Sequence, residues 1–96
     1  LSPFQRGVLL AQVFVGVDVA KDWLDIHHPG RGAAWIDNSP AAARSFAIRC
    51  AKEGAWIVFE ASGGYDHPLR DALEAAGVPF SRINPRQARD FARAMG

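Results

Sequence analysis

Two runs of apolar residues along the chain predict buried β-strands, and an acidic residue follows each run. The first run covers residues 13–17 and is followed by Asp18, and the second covers residues 56–59 and is followed by Glu60. Apolar runs of this length, rich in β-branched residues, are typical of strands buried on both faces in a mostly parallel sheet. An acid that ends such a strand lies at the carboxyl edge of the sheet, where open α/β folds bind their ligands. If the two strands are neighbours, the two acids face each other.

Three further segments are predicted to be strands. Residues 22–28 alternate between apolar and polar side chains, which predicts a strand covered mainly on one face. The turn signal at residues 29–32 separates it from a short strand at 33–36, and a fifth strand is predicted at 79–83. The first three strands are therefore expected to form an antiparallel meander.

Three helices are predicted from capping residues and from apolar residues at helical spacing. The first follows the capping residue Ser39 and ends at Gly54, and the second ends at Gly77. The third follows Asn84 and runs through Met95. The residues predicted to face inward from these helices are Ala43, Phe46, Ala47, Cys50, Leu69, Ala72, Leu73, Ala76, Ala88, Phe91, Ala92 and Met95.

The element order βββαβαβα, a meander followed by right-handed crossovers, is the order of ribonuclease H-like folds. We therefore expect an α/β domain with a five-stranded mixed sheet at residues 13–96, preceded by an amino-terminal arm at residues 1–12. In that arrangement the first and fourth strands are parallel neighbours, so Asp18 and Glu60 project from the same edge. Hard carboxylate oxygens are the ligands that Mg²⁺ prefers, and paired metals stabilise both oxygens of a phosphodiester exchange. A complete two-metal site usually needs more carboxylates than these two.

Composition narrows the class of protein. A length of 96 residues allows one domain, and a hydrophobic share of 49% excludes a disordered chain. The net charge of +1 gives no overall attraction to nucleic acid, so any such surface must come from local patches. The single cysteine, Cys50, excludes an internal disulfide and a multi-cysteine metal site. No apolar stretch approaches the roughly 20 residues of a membrane span, so we expect no membrane contact and a cytoplasmic location.

Three motifs of the chain resemble those of a known family. They are VGVDVAKD at residues 15–22, FEASGGY at 59–65 and INPRQARDFA at 83–92. In this order they resemble the amino-terminal, RuvC-like domain of DEDD insertion-sequence transposases, which are related to the Piv invertase. The resemblance covers about residues 13–96. Within it, Asp18 matches the first aspartate of the catalytic tetrad and Glu60 matches the glutamate.

The resemblance implies a prokaryotic DNA transposase or site-specific recombinase that performs metal-dependent strand cleavage and exchange. It implies Mg²⁺ or Mn²⁺ at Asp18 and Glu60, DNA and a guide RNA as partners of the full-length protein, and a homo-oligomeric state. The other two aspartates of the tetrad are expected on a segment downstream of Met95. The family's carboxy-terminal region with its catalytic serine is expected to lie beyond the chain as well. The chain is therefore expected to be a truncated domain with half of the tetrad and no activity alone.

Basic residues predict where phosphate is contacted. Arginines at i, i+3 and i+7 share one side of a helix, and clustered arginine favours the approach of a polyanion. Asp90 interrupts this surface, so a solvated helix face is the alternative. Lys21 either meets a phosphate, pairs with Asp18 or is a solvated turn residue. The candidate nucleic-acid-binding residues are Lys21, Arg82, Arg86, Arg89 and Arg93.

Two other classes of function stay open. An actin-like or sugar-kinase ATPase half shares the strand order and also has an acid after its first strand, but it places glycine directly after that acid to hold phosphate. Val19 and Ala20 occupy those places here, which argues against this class. The other class is a non-catalytic interaction module on the same scaffold. For Asp18 the alternative is a turn aspartate, whereas Glu60 is a poor turn former and costly to bury unpaired.

Overall fold

Five strands and two helices make up residues 13–60, 63–84 and 86, the part of the chain that this computed structural model describes. Their order is βββαβαβ. The predicted third helix lies outside the described residues, except for Arg86. The elements are β1 (Val13–Val19), β2 (Trp23–His28), β3 (Gly32–Asp37), α1 (Pro40–Glu53), β4 (Ala55–Glu60), α2 (His67–Ala76) and β5 (Phe80–Ile83).

The strands form one mixed sheet in the order β3-β2-β1-β4-β5. The hairpins β1-β2 and β2-β3 are antiparallel, and β4 pairs in parallel with β1 on one side and with β5 on the other. The predicted five-stranded mixed sheet is confirmed, including the parallel contact between the two acid-bearing strands. The crossovers through α1 and α2 advance in the same direction across the sheet, so right-handed connections place both helices on one face.

Both helices end where the sequence predicts. The side chain of Ser39 caps α1 by accepting a hydrogen bond from the backbone N–H of Ala42 at 3.2 Å. Gly54 and Gly77 follow the two helices in the left-handed conformation, with φ of 73° and 71°. Neither described helix combines the length and the apolar character that a bilayer crossing requires.

The hydrophobic core lies between the two helices and one face of the sheet. The predicted inward residues of α1 are all buried, and Cys50 is a core residue as expected. The apolar side chains with the largest volume among the fully buried ones are Phe59, Leu24, Ile57, Leu69, Leu73 and Val15. These residues come from β1, β2, β4 and α2, so the core joins the centre of the sheet to the helices.

The other face of the sheet, called the outer face below, points away from α1 and α2. The prediction that β1 is buried on both faces is wrong. Val15 and Val17 on the helix side are buried, but on the outer face Phe14 is 41% exposed and Asp18 is exposed. The reason is that both crossover helices pack on the same side. For β4 the prediction of burial on both faces agrees better with the structure, because Val58 on the outer face is buried. The exposed aromatic residues of the outer face are Phe14, Trp23, Trp35 and Trp56.

Candidate functional site

Asp18 and Glu60 lie side by side near the carboxyl ends of two adjacent parallel strands. Val17 is the ladder partner of Phe59, and the two acids are the next residue in each strand. Because Val17 and Phe59 are buried on the helix side, alternation places both carboxylates on the outer face. Neighbouring strands are about 4.8 Å apart, so the two side chains start within reach of one shared cation.

A third acid, Asp25, lies on the outer face directly opposite Asp18 across the β1-β2 hairpin. Asp25, Asp18 and Glu60 therefore form a row of acids across three neighbouring strands. Like charges in directly opposite positions of a sheet repel each other, and a bound cation would relieve that repulsion. Within the described residues, no group of three or more His, Cys, Asp and Glu side chains is arranged to hold a metal ion. Asp25 is thus a charged neighbour of the pair.

His27 contacts Asp18, with its Nε2 atom 3.1 Å from Oδ2. In the ladder His27 is opposite Gly16, which has no side chain, and this leaves room for the imidazole ring to reach toward Asp18. The two side chains are 53% and 65% exposed, so water screens the contact and limits its strength. This pair was not predicted from the sequence, because nine positions separate its members and their contact depends on the register of the β1-β2 hairpin.

Residues 63–66 form a turn that leads into α2. Gly63 and Gly64 have φ of 56° and 88°, in the left-handed region that favours glycine. The next described elements are the buried Asp66 and the first turn of α2. The glycine pair therefore supplies the left-handed backbone conformation of the turn that precedes α2.

Arg82, a predicted phosphate contact, lies beside a buried acid on the helix side of β5. Its Nε atom lies 3.1 Å from Oδ2 of Asp66, and Nη1 of Arg70 lies 3.9 Å from the same oxygen. Asp66 is only 1% exposed, and neither of its carboxylate oxygens has a well-aligned hydrogen bond with a described residue. The contact with Arg82 is therefore mainly electrostatic, and it compensates a charge that would be costly to bury alone.

The other candidate phosphate-binding residues are not brought together by the described structure. Lys21 is exposed in the turn between β1 and β2, and Arg86 is exposed as well. Neither side chain forms an ion pair with another described residue. In particular, Lys21 does not pair with Asp18. Arg89 and Arg93 lie outside the described residues.

A second polar cluster joins the β2-β3 turn to the end of α1. Nε2 of His28 lies 2.5 Å from Oε1 of Glu53, and Nη2 of Arg31 lies 2.8 Å from Oε2. The backbone N–H groups of Gly30 and Arg31 donate to Nδ1 of His28 at 2.9 and 3.1 Å. Because Nδ1 accepts both bonds, the neutral ring carries its proton on Nε2 and donates it to Glu53. The cluster lies on the helix side of the sheet, whereas Asp18 lies on the outer face, so we assign the cluster to stability.

Acidification should remove the stabilising effect of Glu53. Burial by itself would raise the pKa of this carboxyl, but the hydrogen bonds from His28 and Arg31 and the positive charge of Arg31 outweigh it and hold the pKa below the usual 4.5. A carboxyl with a lowered folded-state pKa stabilises the fold above its unfolded value and loses that effect as the pH falls through the folded one. Thermal melts of wild type and Glu53→Gln should therefore differ most near neutral pH and converge once the pH has fallen below the lowered pKa of Glu53. The exposed Glu74→Gln is the control, and an unchanged gap at acid pH would contradict the prediction.

Removing one charge from the acid row should leave the fold intact. We expect Asp18→Asn and Glu60→Gln to melt at the same temperature as the wild type or slightly higher, because each substitution reduces repulsion within the row. The lost contact between Asp18 and His27 is exposed and costs little. Circular dichroism melts give the readout. Asp37→Asn is the matched control, since Asp37 is opposite Trp23 and not another acid; unfolding by either acid-row variant would make these acids structural.

Comparison with protein-family models finds no match for this chain, and comparison with curated proteins finds none either.

Proposed function

We propose that this chain is the first part of a ribonuclease H-like catalytic domain of a DNA transposase or site-specific recombinase. The observation that carries the proposal is the placement of Asp18 and Glu60 at the carboxyl ends of adjacent parallel strands. The sheet order and the element order over the described residues support the ribonuclease H-like assignment. DNA is the proposed partner, and the protein acts as a homo-oligomer.

Asp18 and Glu60 fit a divalent cation in chemistry and in placement. Both present hard carboxylate oxygens, both lie on the outer face, and the acid row supplies negative charge that a cation neutralises. When bound, Mg²⁺ or Mn²⁺ would stabilise charge on the phosphodiester during strand cleavage. Asp18 and Glu60 would hold and orient the cation at the carboxyl edge of the sheet, where a DNA backbone would have access from solvent. Two more acids of the tetrad are proposed on a segment downstream of Met95.

A Mn²⁺ titration followed by paramagnetic broadening in NMR spectra tests the proposal. We expect broadening to centre on residues near Asp18 and Glu60, with an affinity no tighter than millimolar, because two partly exposed acids compensate poorly for the loss of water from the ion. Asp18→Asn and Glu60→Gln should each abolish the localised broadening, and Asp71→Asn on the exposed surface of α2 should not. Broadening spread evenly over all surface acids would refute the metal site.

Cleavage is expected only when all four acids are present. The 96-residue chain should leave supercoiled DNA intact in Mg²⁺ or Mn²⁺. A longer polypeptide with the two downstream aspartates should cut or exchange strands, and should lose that activity in Asp18→Asn. Clear metal-dependent nicking by the 96-residue chain would contradict the division of the site into two halves.

A further inference from the structure

Asn38 connects the two loops that follow the acid-bearing strands. Its Nδ2 atom donates to the carbonyl oxygen of Ala20 at 2.7 Å and to that of Tyr65 at 2.9 Å. Ala20 comes directly after β1, and Tyr65 belongs to the loop between β4 and α2. The backbone N–H of Asn38 also donates to the carbonyl of Asp22, at 3.0 Å. One side chain and its own backbone thus link the ends of β1 and β4 to the start of α1.

The side-chain amide is the chemical group suited to this position. It has two N–H donors, and each meets one carbonyl oxygen; serine would offer one donor, and an ionised aspartate none. The amide oxygen Oδ1 is buried and makes no hydrogen bond with a described residue, which costs free energy. The arrangement therefore satisfies the two loop carbonyls while its own acceptor is left unsatisfied.

The position of Asn38 is itself well fixed. It lies between Asp37, the last residue of β3, and Ser39, the N-cap of α1. Asp37 is held in the ladder opposite Trp23, and Ser39 is held by its bond to the first turn of the helix. A residue anchored on both sides can transmit the position of one loop to the other.

We propose that Asn38 is a positioning residue that fixes the spacing between Asp18 and Glu60 by tying together the loops that follow them. The parallel ladder between the two strands has its last partners at Val17 and Phe59, just before the acids. Beyond that point, the bonds of Asn38 to Ala20 and Tyr65 restrain the two chain segments relative to each other. The spacing matters for metal binding, so this inference rests on the proposed function of the acid pair.

The test uses Asn38→Leu, which keeps the number and branching of the side-chain heavy atoms, removes both donors and adds no charge. Its matched control is Ser39→Ala, a substitution in the residue next to Asn38. This variant loses the helix-cap hydrogen bond from Ala42 and keeps the contacts of Asn38 with the two loops. Both variants should melt below the wild type. Only Asn38→Leu should weaken Mn²⁺ binding, by about tenfold or more, as expected when a supporting residue of a metal site is lost.

A second readout does not depend on the metal. In Asn38→Leu the amide N–H of Ala20, bonded to Trp23, and that of His67, bonded to Gly64, should both exchange with solvent faster than in Ser39→Ala. Should Asn38→Leu fail to fold, Asn38→Ser retains one donor and should show a smaller change of the same kind. A folded Asn38 variant with unchanged Mn²⁺ affinity, or with unchanged amide exchange, would overturn the inference.

The two readouts separate this inference from the proposed function. If the wild type shows no localised Mn²⁺ site, the proposed function fails, and amide exchange alone decides whether Asn38 couples the loops. If the wild type binds Mn²⁺ and Asn38→Leu binds it equally well, the proposed function stands and the positioning role is wrong. Faster exchange in only one of the two loops would also overturn the role of Asn38 as a connection between them.

Discussion

Replacing Phe59 with alanine should lower the free energy of unfolding by about 3–5 kcal/mol, which is the usual cost of removing a fully buried aromatic ring. Phe59 is 1% exposed in the interior strand β4, and its ring centroid lies 5.6 Å from that of Phe80. The surrounding helices and strands leave little room for collapse around the cavity. Urea denaturation followed by far-ultraviolet circular dichroism measures the loss.

Phe14→Ala is the matched control, since Phe14 lies in the neighbouring strand but on the outer face. Its ring is 6.3 Å from that of Trp56, and the side chain is 41% exposed. We expect a loss of about 1 kcal/mol or less, because part of the ring is already in water. Equal losses for the two variants would contradict the assignment of the core to the helix side of the sheet.

Replacing Arg82 with methionine should cost about 2 kcal/mol of stability, because it leaves the buried carboxylate of Asp66 with only the more distant Arg70 as a partner. The effect should be smaller than for a fully buried pair, because the Arg82 side chain is 43% exposed. Methionine keeps much of the apolar stem, so the loss reports the charge. The same denaturation experiment gives the readout.

Arg86→Met provides the comparison, since Arg86 is exposed and should change stability by less than about 0.5 kcal/mol. Replacing Asp66 with asparagine in the Arg82→Met background should recover part of the stability by removing the uncompensated charge. If Arg82→Met is as stable as the wild type, the ion pair with Asp66 contributes nothing to the free energy of unfolding.

Much of the fold follows from local signals in the sequence. The predicted helix ends are confirmed because capping depends on local chemistry and not on tertiary contacts. A serine side chain bonds to the first turn, and glycine adopts the left-handed conformation after the last turn; the residues are Ser39, Gly54 and Gly77. The burial of β1 on both faces was predicted wrongly, because an apolar run shows that a strand is central but not which face the helices cover. That choice depends on the direction of both crossovers, which is a property of the whole sheet.

The candidate site, like the fold, could be predicted only where local sequence signals exist. Asp18 and Glu60 were found because each ends an apolar run, and a local pattern is sufficient to show that. The position of Asp25 opposite Asp18 depends on hairpin register. Asn38 contacts Ala20, which is 18 positions earlier in the sequence, and Tyr65, which is 27 positions later. From the sequence alone, Asn38 was only a residue next to a helix cap. An asparagine before a serine cap, between a strand and a helix, is a weak signal that could have directed attention to it.

The position of the tryptophans on the outer face determines which part of the protein its intrinsic fluorescence reports on. All three tryptophans of the protein, Trp23, Trp35 and Trp56, are on that face, with exposures of 46%, 67% and 37%. Indole emission shifts to shorter wavelength when water is excluded from the ring. The intrinsic fluorescence of this protein is therefore a label-free sensor of whatever covers the outer face, and it is a poor reporter of the integrity of the core.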